Sequence, residues 1–242
     1  MIVLRATSML HQQSQIKNQK SKILMIVTID GPAGSGKSTA ARGLAERLQF
    51  DFLDTGAMYR AVAWRCLQAS IDLHDADAVA ACAQAMQLRI EQQHVFVDGR
   101  DVTADIRMPE VSQGSSMVAS NLAVRRELAA RQREFAEGRN IVTEGRDQGT
   151  AVFPQAECKF YVTANPEERA ARRQRELRER HEQDVPLEDI LRLIRERDER
   201  DKTRIVDPLR AAEDAIRVDT SGLSPETVVE RLEQLVRERM LG

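Results

Sequence analysis

The feature that most constrains this chain is the run GPAGSGKST at positions 31–39. It lies between a short apolar segment and a helical pattern. Residues 24–29 are almost continuously apolar, as a strand buried on both faces requires. Beyond the run, Ala40, Ala41, Leu44, Ala45 and Leu48 recur at the spacing of one helix face, predicting a helix over 38–48. Gly31, four residues and then Gly36-Lys37-Ser38 fit the pattern G-x4-G-K-[ST]. Its glycines let successive N–H groups turn toward one anion, and the helix that follows presents the positive end of its dipole. Strand, glycine-rich turn and helix, in that order, predict a phosphate-binding loop, with Lys37 reaching phosphate and Ser38 offering a hydroxyl to Mg²⁺.

The rest of the chain repeats the alternation. Strands are expected over 50–53, 141–143, 159–163 and 216–218, and helices over 56–67, 187–201 and from Ser224-Pro225 onward. Asn165-Pro166-Glu167-Glu168 predicts a helix start: an N-cap Asn, Pro first, and Glu three residues after the cap. The helix it opens is very basic, with Arg169, Arg172, Arg173, Arg175, Arg178 and Arg180. A single Arg- and Ala-rich helix is expected from about 111 to 137. Residues 87–103 break the pattern: they alternate with period two around Asp98-Gly99, which predicts a small antiparallel element. Short strands separated by helices imply an α/β fold, with a mostly parallel sheet covered by helices on both faces. Residues 1–22 lack periodicity and read as a disordered N-terminal extension, with a start at Met25 as the alternative; 23–242 read as a single domain.

Composition excludes several classes. A formal net charge of −2 provides no overall basic field, so bulk nucleic-acid binding is not expected. Cys66, Cys82 and Cys158 are odd in number and far apart, and none has metal-ligand spacing. A reduced, cytoplasmic protein is expected. No apolar run is long enough for a bilayer span, and the first 22 residues lack a secretory pattern.

A phosphate-binding loop does not name a reaction. A GTPase should carry a guanine-reading N-K-x-D segment, and the sequence has none. A kinase needs an acceptor site and cations beyond Lys37. Three segments are candidates. LDTGAMYR (53–60) places a Gly turn and Arg60 after a strand; Gly145-Arg146-Asp147 follows another strand; RDERDKTR (197–204) spaces Arg197, Asp201 and Arg204 to share a helix face. Bland alternatives stand beside each: Arg60 as a surface residue, Arg146-Asp147 as a local ion pair, and 196–201 as a solvated helix laced with i,i+4 pairs.

Together the motifs VTIDGPAGSGKST, FLDTGAMYR, IRMPEVSQGSSMVAS, EGRDQGTAVFP and RERDERDKTR resemble the bacterial cytidylate kinases, within the nucleoside monophosphate kinases. The resemblance runs from Met25 to the C-terminus. It implies a five-stranded parallel core, an inserted monophosphate-binding part over about 57–137 that contains the period-two segment, and a short lid over about 169–186. It implies ATP bound by Gly31, Pro32, Ala33, Gly34, Ser35, Gly36, Lys37, Ser38 and Thr39, with Mg²⁺ on Ser38. Thr55, Asp201 and Arg197 would lie near the ribose of CMP or dCMP. Arg60, Arg146 and Arg204 would bind phosphate, and Ser116, Arg125 and Asp147 would read the cytosine edge. Lys37, Arg146, Arg197 and Arg204 would be the catalytic cations. A monomer acting on small molecules, away from nucleic acid and membrane, is implied. Two positions depart from the family's habit: Thr55 stands where Ser is frequent, and Gln148 where Met is common. Another kinase of the same fold using UMP, AMP or dTMP is the nearest rival. A polyanion-binding ATPase that uses the Arg-rich helices is the rival from another class; no aromatic stacking platform lies there.

Overall fold

The computed structural model describes residues 24–91, 94–181 and 184–241. The expected N-terminal extension, 1–22, lies outside the described residues. Five strands form one all-parallel sheet: β1 (Ile26–Asp30), β2 (Asp51–Asp54), β6 (Ile141–Gly145), β7 (Cys158–Thr163) and β8 (Ile216–Asp219), in the order β2-β6-β1-β7-β8. A second, antiparallel sheet holds β3 (Leu88–Glu91), β4 (His94–Val97) and β5 (Arg100–Asp101). Its last hairpin turns at Asp98-Gly99, both at positive φ (50° and 83°), the tight turn that a two-residue Asp-Gly loop makes. Both sheets agree with the sequence expectation.

Alternation along β1 assigns the two faces of the large sheet. Val27 and Ile29 pack under α1 (Lys37–Leu48) and the C-terminal helix, with Leu44, Leu232 and Val236. Ile26, by parity, joins Ile141, Val152 and Phe153 on the opposite face. A separate core joins α2 (Thr55–Gln68) and α3 (Ala76–Ala85) to the antiparallel sheet, through Trp64, Val79, Val95 and Val97.

Four details correct the sequence reading. The helix α3 was not expected; Asp75 caps it by accepting from the Ala78 N–H at 3.0 Å. The single helix expected over 111–137 is two, α4 (Pro109–Val118) and α5 (Leu122–Ala136). Asn121 divides them, since its Oδ1 accepts from the N–H groups of Ala123 and Val124. In α6 (Pro166–His181), Asn165 caps as expected, accepting from Glu168 N at 2.8 Å, but the Glu168 carboxylate accepts from Gly222 N and does not return to the cap. Finally, α7 (Leu187–Thr203) ends before Arg204, so Arg204 does not share a helix face with Arg197 and Asp201. The C-terminal helix, α8, spans Pro225–Leu241. Among the described residues no helix is long and apolar enough to cross a membrane.

Candidate active site

All candidate residues except Ser116 and Arg125 come from the loops and opening helix turns that follow the C-terminal ends of parallel strands, or from α7 and its end. That edge is where α/β sheets collect ligand-binding groups. Gly31, directly after β1, has no room for a side chain: a Cβ would lie 2.0 Å from the Val162 carbonyl oxygen. Gly36 takes a left-handed conformation (φ 86°) and opens α1 with no side-chain cap, so the first N–H groups of the helix point outward unclaimed by a side chain. The loop is held from behind. Thr220 Oγ1 donates to Ser35 O at 2.9 Å, and Arg169 from α6 donates to Ala33 O at 3.1 Å. Arg169 is buried and also pairs with Asp198 of α7 at 2.7 Å. Thus the basic helix is not simply a solvated face, and the stretch 196–201 is not one laced only by its own pairs.

Lys37 is buried in the first turn of α1, with Nζ 3.6 Å from Glu144 Oε2. Burial, followed by the charges of Arg146 and Arg197, pulls its ammonium down to about 8, against the opposing pull of Glu144. Glu144 and Asp54 sit opposite one another at the ends of β6 and β2. Burial pushes Glu144 up; burial opposes ionisation of Asp54 too, but Arg60 and the Ala57 N–H outweigh it and hold Asp54 low. Arg60 reaches back to Asp54 at 3.2 Å, so it is not an ordinary surface residue.

Arg146 donates from Nε to Asp201 Oδ2 at 2.9 Å, which brings the β6 edge against α7. Burial disfavours the Asp201 carboxylate, but Arg146 and Arg197 more than compensate and hold it below the usual carboxylate range. Burial and then Arg146 draw Arg197 down to about 10, still protonated at neutral pH. Lys37, Arg60, Arg146 and Arg197 are therefore within electrostatic reach of one another. Three guanidinium nitrogens in this region, Arg60 Nε, Arg197 Nε and Arg204 Nη2, are buried without a hydrogen-bond acceptor, and Glu144 Oε2 is buried without a hydrogen-bond donor. Buried donors of that kind are rare and costly in a folded protein.

A second cluster lies beside the first. Arg125, on α5, pairs through Nη2 with Asp147 Oδ2 and with Asp207 Oδ2, the latter at 3.0 Å. Burial pushes the Asp147 carboxyl up against the pull of Arg125 and Arg204. Arg204 Nη2 is 3.8 Å from Asp147, and its Nε donates to Asp207 O at 2.6 Å. Arg125 also donates to Ala119 O at 3.3 Å, tying in the end of α4 one turn beyond half-buried Ser116. Thr55 is buried, and its hydroxyl donates to Glu144 O at 2.7 Å.

The sequence reading missed Asp54, Glu144, Asp207 and Arg169. Arg169 and Asp207 make their contacts with Ala33 and Arg125 across long sequence separations, whereas Asp54 and Glu144 lie inside quoted motifs in which only the neighbouring residues were given roles. Ser38 stands at the start of α1, next to Lys37, and the carboxylates of Asp54 and Glu144 lie opposite one another at the ends of β2 and β6. Hydroxyl and carboxylate oxygens are the donors that a small, hard divalent cation such as Mg²⁺ takes, and Glu144 Oε2, ion-paired with Lys37, has no hydrogen bond of its own.

Comparison with known proteins places the chain among relatives. The family model described as cytidylate kinase matches residues 27–238. The chain is 49% identical over 214 residues to a cytidylate kinase of Rhodopirellula baltica, covering 88% of this chain and 93% of that one. It is 44% identical over 216 residues to a cytidylate kinase of Caldanaerobacter subterraneus, covering 89% and 96%. Among solved structures, an uncharacterized protein from Eubacterium ventriosum shares the fold at a TM-score of 0.50 and 11% identity, covering 88% of this chain and 98% of that one.

Proposed function

The chain belongs to the cytidylate kinase family, and from that premise we propose how its residues carry the reaction, transfer of the γ-phosphoryl group of ATP to CMP or dCMP. The observation that carries the reading is that Lys37 lies among buried guanidinium charges, those of Arg146 and Arg197, while Arg60 Nε, Arg197 Nε and, in the neighbouring cluster, Arg204 Nη2 are buried donors that lack acceptors. A phosphate of CMP facing the γ-phosphate of ATP supplies those acceptors and removes the repulsion among the cations.

The loop 31–39 holds the ATP phosphates with its outward N–H groups and Lys37. Arg60, Arg146 and Arg204 hold the acceptor phosphate. Arg197 and Asp201 face the ribose with Thr55, and Arg197 adds charge between the two phosphates. Ser38 would hold Mg²⁺, with Asp54 and Glu144 close by; when bound, the ion neutralises charge on the ATP phosphates. The attacking oxygen of CMP is already an anion, so no strong general base is required and the transfer is direct and in line. The residues supply position and charge neutralisation, and movement of α6 and the segment after it, as a lid, excludes water.

Base selection falls to Ser116, Arg125 and Asp147. Cytosine offers an amino donor that a carboxylate accepts, and N3 and O2 acceptors for Arg and Ser. Uracil places a carbonyl where cytosine has its amino group and would leave buried Asp147 facing another acceptor, at a cost of about 1–3 kcal/mol. The reading carries with it a cytoplasmic monomer that acts on small molecules. The test is ADP release from ATP and Mg²⁺ with CMP, dCMP, UMP, AMP and dTMP supplied singly. Turnover confined to CMP and dCMP is expected. Preference for another nucleotide overturns the base assignment, and no turnover with any overturns the reading as a whole.

A further inference from the structure

Asp30 is the last residue of β1, directly before the phosphate-binding loop. It is 3% exposed, and the strand's alternation turns its side chain away from α1, onto the face it shares with Thr28. There its two oxygens accept two backbone N–H groups: Oδ1 from Gln148 at 2.8 Å and Oδ2 from Gly149 at 2.8 Å. These are the first residues of a single wide helical turn, Gln148–Val152, closed by i to i+5 bonds from Val152 N to Asp147 O and from Phe153 N to Gln148 O. The first N–H groups of such a turn have no acceptor within it. The Asp30 carboxylate supplies both, as a charge-assisted pair.

The residues just ahead of that turn are Arg146 and Asp147. We infer that Asp30 is a positioning residue for nucleotide selection: by pinning the turn to β1 it fixes where Asp147 points and locks the acceptor site to the phosphate-binding loop.

Two further contacts fit this role. The Gln148 side chain is buried on the far side of the turn; it accepts from Thr143 Oγ1 at 3.0 Å and donates to Gln132 Oε1 at 3.1 Å. Gln132 lies two turns along α5 from Arg125, on the same face. One short segment therefore braces both members of the Arg125–Asp147 pair. The seat beneath Gly149 is also tight: a Cβ there would lie 2.9 Å from Thr28 Oγ1 and 3.4 Å from Asp30 Oδ2. Burial pushes the Asp30 carboxyl up to about 7 despite the two N–H bonds, so the clamp is kept at a cost in stability that a neutral tie would avoid.

The inference rests on Asp147 reading the base. It is tested with Asp30→Asn, which keeps the shape and one acceptor but turns an amino group toward the second N–H. Gly149→Ala crowds the same turn against Thr28 while leaving Asp30 itself in place, and serves where Asp30→Asn does not fold. Steady-state kinetics with CMP, UMP and ATP are measured for both variants and for Asp147→Ala. We expect kcat/KM for CMP to fall about tenfold or more and the CMP/UMP ratio to narrow, while KM for ATP changes far less. An unchanged CMP/UMP ratio in Asp30→Asn, beside a narrowed ratio in Asp147→Ala, overturns the role of Asp30 alone. An unchanged ratio in Asp147→Ala overturns the base reading and the inference with it.

Discussion

The C-terminal edge of the five-stranded sheet and the small three-stranded sheet are both rich in charge, and they treat it in opposite ways. On the small sheet and the turn after it the charged groups are largely exposed and paired with near neighbours, Arg89 with Glu91 and Arg100 with Asp105, and His94 Nδ1 lies 2.9 Å from Asp101 Oδ2. On the large sheet's edge they are buried, crowded with like charge and left with unmet hydrogen bonds at Arg60, Arg197, Arg204 and Glu144. Solvent makes the first arrangement cheap and nearly neutral in energy. The second is expensive, because charges withdrawn from water need partners that the protein itself does not fully provide. The difference separates charge that keeps a surface soluble from charge held for a ligand.

The largest effect that would break this comparison is expected at Lys37. Lys37→Ala should lower kcat by about 10²-fold or more, as loss of a cation at the transferring phosphate does, measured on folded protein. A near-normal kcat would show that the buried cation is not held for the reaction. Next in size, Asp147→Ala should narrow the preference for CMP over UMP in kcat/KM by about tenfold, with little change in KM for ATP.

A smaller effect sharpens the contrast through pH. Asp30 sits at about 7 in the fold against an ordinary 3.8, so between those values the folded chain holds the extra proton and stability falls as pH rises. Lys37 sits at about 8 against 10.5, so between those values the unfolded chain holds the extra proton and stability rises with pH. These two groups together predict their least favourable contribution between about pH 7 and 8. Urea unfolding across pH 5–10 should show the acid-side slope weakened in Asp30→Asn and the alkaline-side rise weakened in Lys37→Met. The smallest effect belongs to the other region. Arg89→Ala should leave kcat within about twofold and the unfolding midpoint nearly unmoved, since its partner Glu91 is exposed.

The same contrast governs what could be read from sequence. The phosphate-binding loop was legible because its glycines and lysine are fixed by local backbone geometry. The hairpin at Asp98-Gly99 was legible for the same reason. Arg60, Arg146, Asp147, Arg197, Asp201 and Arg204 were legible as charged residues after strands or near one helix; Arg146 meets Asp201 and Arg204 lies beside Asp147, although Arg204 stands beyond the helix end and not on its face. α3 was not, because its interior is mostly alanine and a weakly apolar face leaves no stripe to count. The division at Asn121 was hidden by Arg- and Ala-rich sequence on both sides, where only a cap side chain decides the break. The clamp by Asp30 spans 118 residues and the Arg125–Asp207 pair 82, separations at which no spacing rule operates. Asp207 also takes a left-handed conformation (φ 46°) that its side chain type permits but does not announce.

The most direct test of the claim that the buried, unmatched donors are a phosphate receptor is calorimetric titration of the protein with CMP and, separately, with cytidine. The two ligands share the base and the sugar and differ only in the phosphate. The account predicts that cytidine binds about a hundredfold more weakly or worse, since several charge-assisted hydrogen bonds are lost with the phosphate. Equal affinities for CMP and cytidine would contradict it.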